Sequence, residues 1–151
     1  MSAPKNRAGH QARISVRNLQ RSVRVDVAAL TSFAQRAVQA CAALPAPQSL
    51  PAADLAVLLV SDRRIASLHR QFMNVSGPTD VITFQHGEIF ISVPTARRHA
   101  RRFGNPLIRE LQLYVVHGLL HLRGFQDERP ADARRMQALQ EKVLQRLAVA
   151  S

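Results

Sequence analysis

The stretch NPLIRELQLYVVHGLLHLRGFQD, Asn105 to Asp127, decides how the rest of the chain is read. Asn105 before Pro106 is a helix start, a capping side chain followed by a residue whose fixed φ suits the first helical position. Gly124 is a stop, because glycine takes the left-handed backbone that ends helices. Between them Leu111, Leu113, Tyr114, Val115, Val116, Leu119, Leu120 and Leu122 leave almost no polar face. A helix from Leu107 to Arg123 that is apolar nearly all round belongs at the centre of a fold.

That helix nevertheless carries His117 and His121, four residues apart, so both imidazoles project from one face about one turn from each other. A buried imidazole needs partners for its nitrogens, and a metal ion is one such partner. The turn Phe125-Gln126-Asp127 can return the Asp127 carboxylate to a third corner, with Glu128 the alternative ligand. Three protein ligands leave the fourth position of a tetrahedral zinc open to water, the pattern of a hydrolytic site. Two His and a carboxylate also suit nickel, iron or manganese. The bland alternative is a pair of structural histidines satisfied by the core. Gly118 stands where a zinc peptidase carries its Glu base, which disfavours a peptidase.

Working outward, the alternation from Arg13 to Arg17 predicts a first strand with Ile14 and Val16 on one face. A helix follows Asp26 as N-cap, with Leu30, Phe33, Ala34, Ala37 and Cys41 at helical spacing, which makes Cys41 an inert core thiol. The run Leu55 to Val60 reads as a buried strand, and Ser61 or Asp62 caps a short helix reaching about Phe72. Gly77-Pro78 breaks the chain before strands Val81 to Phe84 and Glu88 to Val93, joined by a turn at Gln85-His86-Gly87. Pro94 opens a helix to Phe103, with Ala96, Ala100 and Phe103 on one face and Arg97, Arg98, Arg101 and Arg102 on the other. His86 and His99 read as surface residues. A last helix from Pro130 carries Met136, Leu139, Val143 and Leu147 along one side. The expected fold is α+β: a small mixed sheet of about four strands packed by about five helices, with a metal site at the end of a long buried helix.

The chain has 151 residues, 46% of them hydrophobic, which fits one domain over residues 13–151 behind a flexible basic arm from Met1 to Ala12. No apolar run approaches the roughly 18 residues of a membrane span, and the N-terminus has no signal-peptide core, so a cytoplasmic protein is expected. The single cysteine excludes an internal disulfide and a Cys-built zinc cage. Lys and Arg number 21 against 10 Asp and Glu, a net charge of +11, and every base but Lys5 and Lys142 is Arg. Polyanions are the matching partners. Four Arg on one helix face without an acid offer phosphate contacts, whereas a merely solvated face usually mixes both signs. With six Phe, one Tyr and no Trp, backbone tracking is favoured over a stacking platform.

The run from His117 to Asp127 resembles the signature of the YbeY family of bacterial rRNA-maturation endoribonucleases, H-G-x-L-H-L-x-G-[YF]-D-H. Pro78-Thr-Asp-Val-Ile-Thr-Phe84 is similar to the family's P-T-D-V-L-S-F, Gly87-Glu-Ile-Phe-Ile-Ser92 to its G-D-I-x-I-S, and Glu110-Leu111 stands ahead of the helix motif as in the family. The likeness runs in order from about Leu68 to Asp127. It implies a metal-dependent endoribonuclease acting on single-stranded or ribosomal RNA, with one zinc on His117, His121 and Asp127 and a metal-activated water as nucleophile. The implied partners are the small ribosomal subunit or its assembly proteins.

Four positions depart from the family pattern. Its third His falls on Asp127, which keeps a ligand but makes the site more negative, and the Asp before it falls on Gln126. Its Arg after an aromatic falls on Met73 after Phe72, with His69 at the preceding Asn. A fixed guanidinium stabilises developing phosphorane charge, so Arg70 is a candidate replacement. Asp80 and Glu88 are candidate positioning groups, with capping of the Pro78 turn and the hairpin as their structural alternative; no general base is assigned. Competing with the nuclease are an RNA- or ribosome-binding assembly factor that keeps the metal site without turnover, and a metal hydrolase of other substrates.

Overall fold

The structure is a computed structural model and describes residues 13–77 and 79–149. The proposed arm, residues 1–12, lies outside the described residues. The order is β1 (Ile14–Asn18), α1 (Val27–Ala42), β2 (Leu55–Val60), α2 (Asp62–Met73), β3 (Val81–Phe84), β4 (Glu88–Ser92), α3 (Val93–Phe103), α4 (Leu107–Leu122) and α5 (Pro130–Val149). The four strands form one mixed sheet in the order β1-β2-β4-β3, with β1, β2 and β4 parallel and β3 antiparallel to β4. The α+β expectation holds.

Alternation along the strands sorts the two faces of the sheet. Leu55, Val57 and Leu59 of β2 and Ile89 and Ile91 of β4 join the main core, formed with α1, α4 and α5. Val60, Ile82 and Phe90 turn to the opposite face, where Ile65 of α2 covers them. The α1 stripe Leu30, Phe33, Ala34, Ala37 and Cys41 is buried as its spacing predicts, and Asp26 caps the helix by accepting from the Ala29 N–H at 3.0 Å. Burial pushes the Cys41 thiol up to about 12, against a smaller opposing pull from Arg123, so it stays protonated and inert.

α4 lies at the centre, with Leu111, Val115, Val116, Leu119, Leu120 and Leu122 fully buried. It packs tightly on the sheet at Gly118, where a Cβ would stand 2.8 Å from both Cγ2 and Cδ1 of Ile89. A side chain there would force Ile89 or the helix to shift.

Three local expectations are corrected. Asn105 does not cap α4: its N–H donates to the Ala100 carbonyl at 2.8 Å, which ties it to the end of α3, and Pro106 takes the cap position without a side-chain bond. Phe103 is 65% exposed, since only Ala96 and Ala100 of that stripe are buried and the last turn of α3 lies beyond them. His99 is half-buried rather than on the surface, its Nδ1 lying 2.6 Å from the Tyr114 hydroxyl.

Candidate metal centre

The site is built on the last turns of α4. His117 and His121 bring their Nε2 atoms 3.0 Å apart. The helix then ends in a Schellman motif, in which the Gly124 N–H donates to the His121 carbonyl at 2.9 Å and the Phe125 N–H to the Leu120 carbonyl at 3.1 Å, with Gly124 at φ +91°. Phe125 is buried beyond it. The loop after α1 fastens this reversal from outside. The Gln48 N–H donates to the Arg123 carbonyl at 3.1 Å, Gln48 Nε2 donates to the Leu122 carbonyl at 3.0 Å, and the Arg123 guanidinium reaches the Ala42 and Leu44 carbonyls. So fixed, the chain returns Asp127, whose Oδ2 lies 3.4 Å from each histidine Nε2.

Donor chemistry tests whether these residues fit a cation. His117 donates from Nδ1 to Gln140 Oε1, which leaves the Nε2 lone pair of its neutral form facing Asp127 and His121. The His121 ring is bonded to the Phe125 backbone carbonyl. Burial holds the His121 imidazole below its ordinary pKa, and the neighbouring His117 adds to this, against weaker opposing effects of Asp127 and the Phe125 carbonyl. Two imidazole nitrogens and a carboxylate oxygen, all within 4.8 Å of one another, form an electron-rich pocket. The set fits a divalent cation, with each histidine oriented by an outer hydrogen bond as metal-bound histidines are.

The three donors lie in a cleft of about 300 Å³ whose other wall is Met73 and the segment Thr79–Thr83. Asp80 is on that wall, its Oδ1 accepting from the Val81 N–H at 2.8 Å. His69 donates from Nδ1 to the Gly77 carbonyl at 3.0 Å and pins the loop leading there. The other candidate supports stand elsewhere. Glu88 pairs with His86 at 3.1 Å in the hairpin, and Arg70 lines a separate groove on the far side of α2. Met73, at the family's Arg position, does line the cleft. Glu128 is exposed and outside the donor group.

Arg97, Arg98, Arg101 and Arg102 are all exposed on α3, but Arg98 is already engaged. It donates to Asp62 at 2.8 Å, and the same carboxylate accepts from Ser92 and Thr95 at 2.5 and 2.6 Å. Burial works against this anion, yet the bonds from Arg98, Ser92 and Thr95 hold Asp62 below the usual carboxylate range.

Sequence reasoning missed Gln140 and the pair His99–Tyr114. Gln140 was within reach: it stands four residues after Met136 and three before Val143, so a polar residue on the buried stripe of α5 needed a partner. Tyr114 gave no comparable signal. Burial raises its phenol, and the charges of Asp80 and Glu110 and a hydrogen bond to Glu110 add to this, so it stays a neutral donor between Glu110 and His99.

The family model Endoribonuclease YbeY matches residues 15–148. A protein named Endoribonuclease YbeY from Anaeromyxobacter sp. (strain Fw109-5) is 44% identical over 94 residues, 56% of this chain and 49% of the relative, so the match spans about half the length of that relative. The like-named protein of Moorella thermoacetica is 37% identical over 134 residues, 76% of this chain and 85% of its own. That of Syntrophotalea carbinolica is 33% identical over 149 residues, 89% and 95%. The solution structure of a Thermotoga maritima protein superposes with a TM-score of 0.59 at 25% identity, over 89% of this chain and 88% of the other. With a family model running the length of the sheet, the central helix and the donor turn, the chain belongs to the Endoribonuclease YbeY family.

Proposed function

We propose that this protein is a metal-dependent endoribonuclease that cleaves single-stranded RNA and acts in ribosomal RNA maturation in the cytoplasm. The observation that carries this reading is the convergence of two imidazole nitrogens and one carboxylate in an open cleft, on a chain of an endoribonuclease family. His117, His121 and Asp127 would hold one zinc ion. A divalent cation in that place supplies Lewis-acid activation of water and of a phosphate oxygen near neutral pH.

The chain's own residues do the rest. Gln140 and the Phe125 carbonyl orient the two imidazoles. Asp80, anchored through one oxygen on the Val81 N–H, keeps its other oxygen to accept from a hydroxyl in the cleft. Arg97, Arg101 and Arg102 hold the RNA backbone, with Arg98 contributing only its charge while it serves Asp62. The excess of positive charge suits docking on the small ribosomal subunit or its assembly proteins. Among the described residues no helix is long and apolar enough to cross a membrane.

Met73 favours a second reading. It puts a thioether in the cleft where the family pattern has a guanidinium, which fits an RNA- or ribosome-binding assembly factor of weak or no turnover. Elemental analysis of untagged protein, with RNA cleavage assays, separates the two. The nuclease reading expects near one equivalent of zinc in wild type, its loss in Asp127→Ala, and cleavage abolished by chelator and by His117→Ala while RNA binding survives. Zinc and RNA binding without cleavage would select the assembly factor. Cleavage of peptides but not RNA would dismiss both.

A further inference from the structure

α2 lays Ile65, Leu68 and Phe72 along one side, the spacing of a buried stripe. Ile65 is fully buried on the outer face of the sheet, but the stripe outruns its cover. Phe72 is 58% exposed, with Met73 at 47% and Val75 at 45% beside it. The ring is held in place even so. Its partner Phe84, on edge strand β3, lies edge-on at 5.2 Å and 79°, and Phe84 meets Phe90 in the same way at 5.6 Å and 86°. Half of the chain's Phe residues thus gather at one edge of the sheet, which their overall scarcity conceals. A ring fixed by its neighbours with a face open to solvent loses little freedom when it is covered.

Its surroundings say what covers it. The next residue, Met73, lines the cleft of His117, His121 and Asp127. An apolar peptide would answer the ring and leave a chain of net charge +11 unanswered. A single-stranded nucleic acid answers both, with a base on the ring and its phosphates in the field of that charge.

We propose that Phe72 is a base-stacking subsite: an unpaired base of single-stranded RNA, beside the bond held in the cleft, lies on its open face. This rests on the RNA reading of the cleft. Since the chain has no Trp, Phe72→Trp places a single reporter there. The probe is a cleavage-resistant single-stranded 2′-O-methyl phosphorothioate oligonucleotide, with an abasic strand of equal length as control.

Indole emission is expected to quench saturably with the first and not with the second. By fluorescence anisotropy, Phe72→Ala and Phe72→Leu bind about tenfold more weakly and Phe72→Trp at least as tightly as wild type. Leu keeps apolar packing against Phe84, so its loss of affinity reports the missing π face rather than a fold defect. Unchanged affinity in the Ala and Leu variants, with unmoved indole emission while wild type still binds and cleaves RNA, overturns the subsite and leaves the nuclease reading intact. Wild type that binds no single-stranded RNA overturns both.

Discussion

Gln140 decides which nitrogen of His117 is available, because its carbonyl oxygen takes the Nδ1 proton and leaves Nε2 to the site. Gln140→Leu keeps the volume and the apolar packing of α5 but frees the tautomer. Zinc affinity, measured by competition with a chromophoric chelator, is expected to fall about tenfold, the usual consequence of removing an outer partner of a metal-bound His. Unchanged affinity would mean that His117 is oriented by something other than Gln140. The residues His117, His121 and Asp127 were legible because their relation is local: a helical repeat and the turn after it place them. Gln140, Arg98 and His99 were not, because each is defined by a residue on another element, respectively His117, Asp62 and Tyr114. Spacing along one helix says which face a side chain occupies and nothing about which neighbour meets it.

The helix–sheet contact at Gly118 sets where α4 lies, and with it the height of both imidazoles over the cleft. Gly118→Ala adds helix propensity, by itself worth up to about 1 kcal/mol. The new methyl would meet the branched Ile89 side chain at 2.8 Å, and overpacking a rigid core costs about 1–3 kcal/mol. Net destabilisation of up to about 2 kcal/mol is expected in urea unfolding, and a stabilised variant would contradict the contact. At this scale the strands β2 and β3 were read to the residue, since an unbroken apolar run in β2 and a β-branched run ending in an aromatic in β3 each stand between turn signals. The start of α4 was misread because Asn105 has two duties in principle, closing α3 and opening α4, and its N–H bond to Ala100 gives it to the first. Phe103 failed for a related reason: a helical stripe is buried only as far as its partner element extends.

Across the molecule the positive charge is unevenly occupied, for Arg98 is bound to Asp62 while Arg97, Arg101 and Arg102 stand exposed beside it. Replacing those three by Ala should lower the steepness of log K against log salt for single-stranded RNA by about 2, since each phosphate left without its guanidinium takes about 0.7 from the slope. Arg98→Ala should instead act mainly on the thermal melt, lowering Tm because the carboxylate joining α2 to α3 is deprived of its charged donor. A large change in slope from Arg98→Ala alone would reverse that assignment. The donor turn has a consequence for assembly of the protein itself. All three donors come from one continuous segment, His117 to Asp127, closed by hydrogen bonds between near neighbours in sequence. Closing so short a loop takes little chain entropy and happens early. A cation site of this kind would need no pairing between distant strands to bring its ligands together, and the long-range bonds of Gln48 and Gln140 serve to hold and orient them.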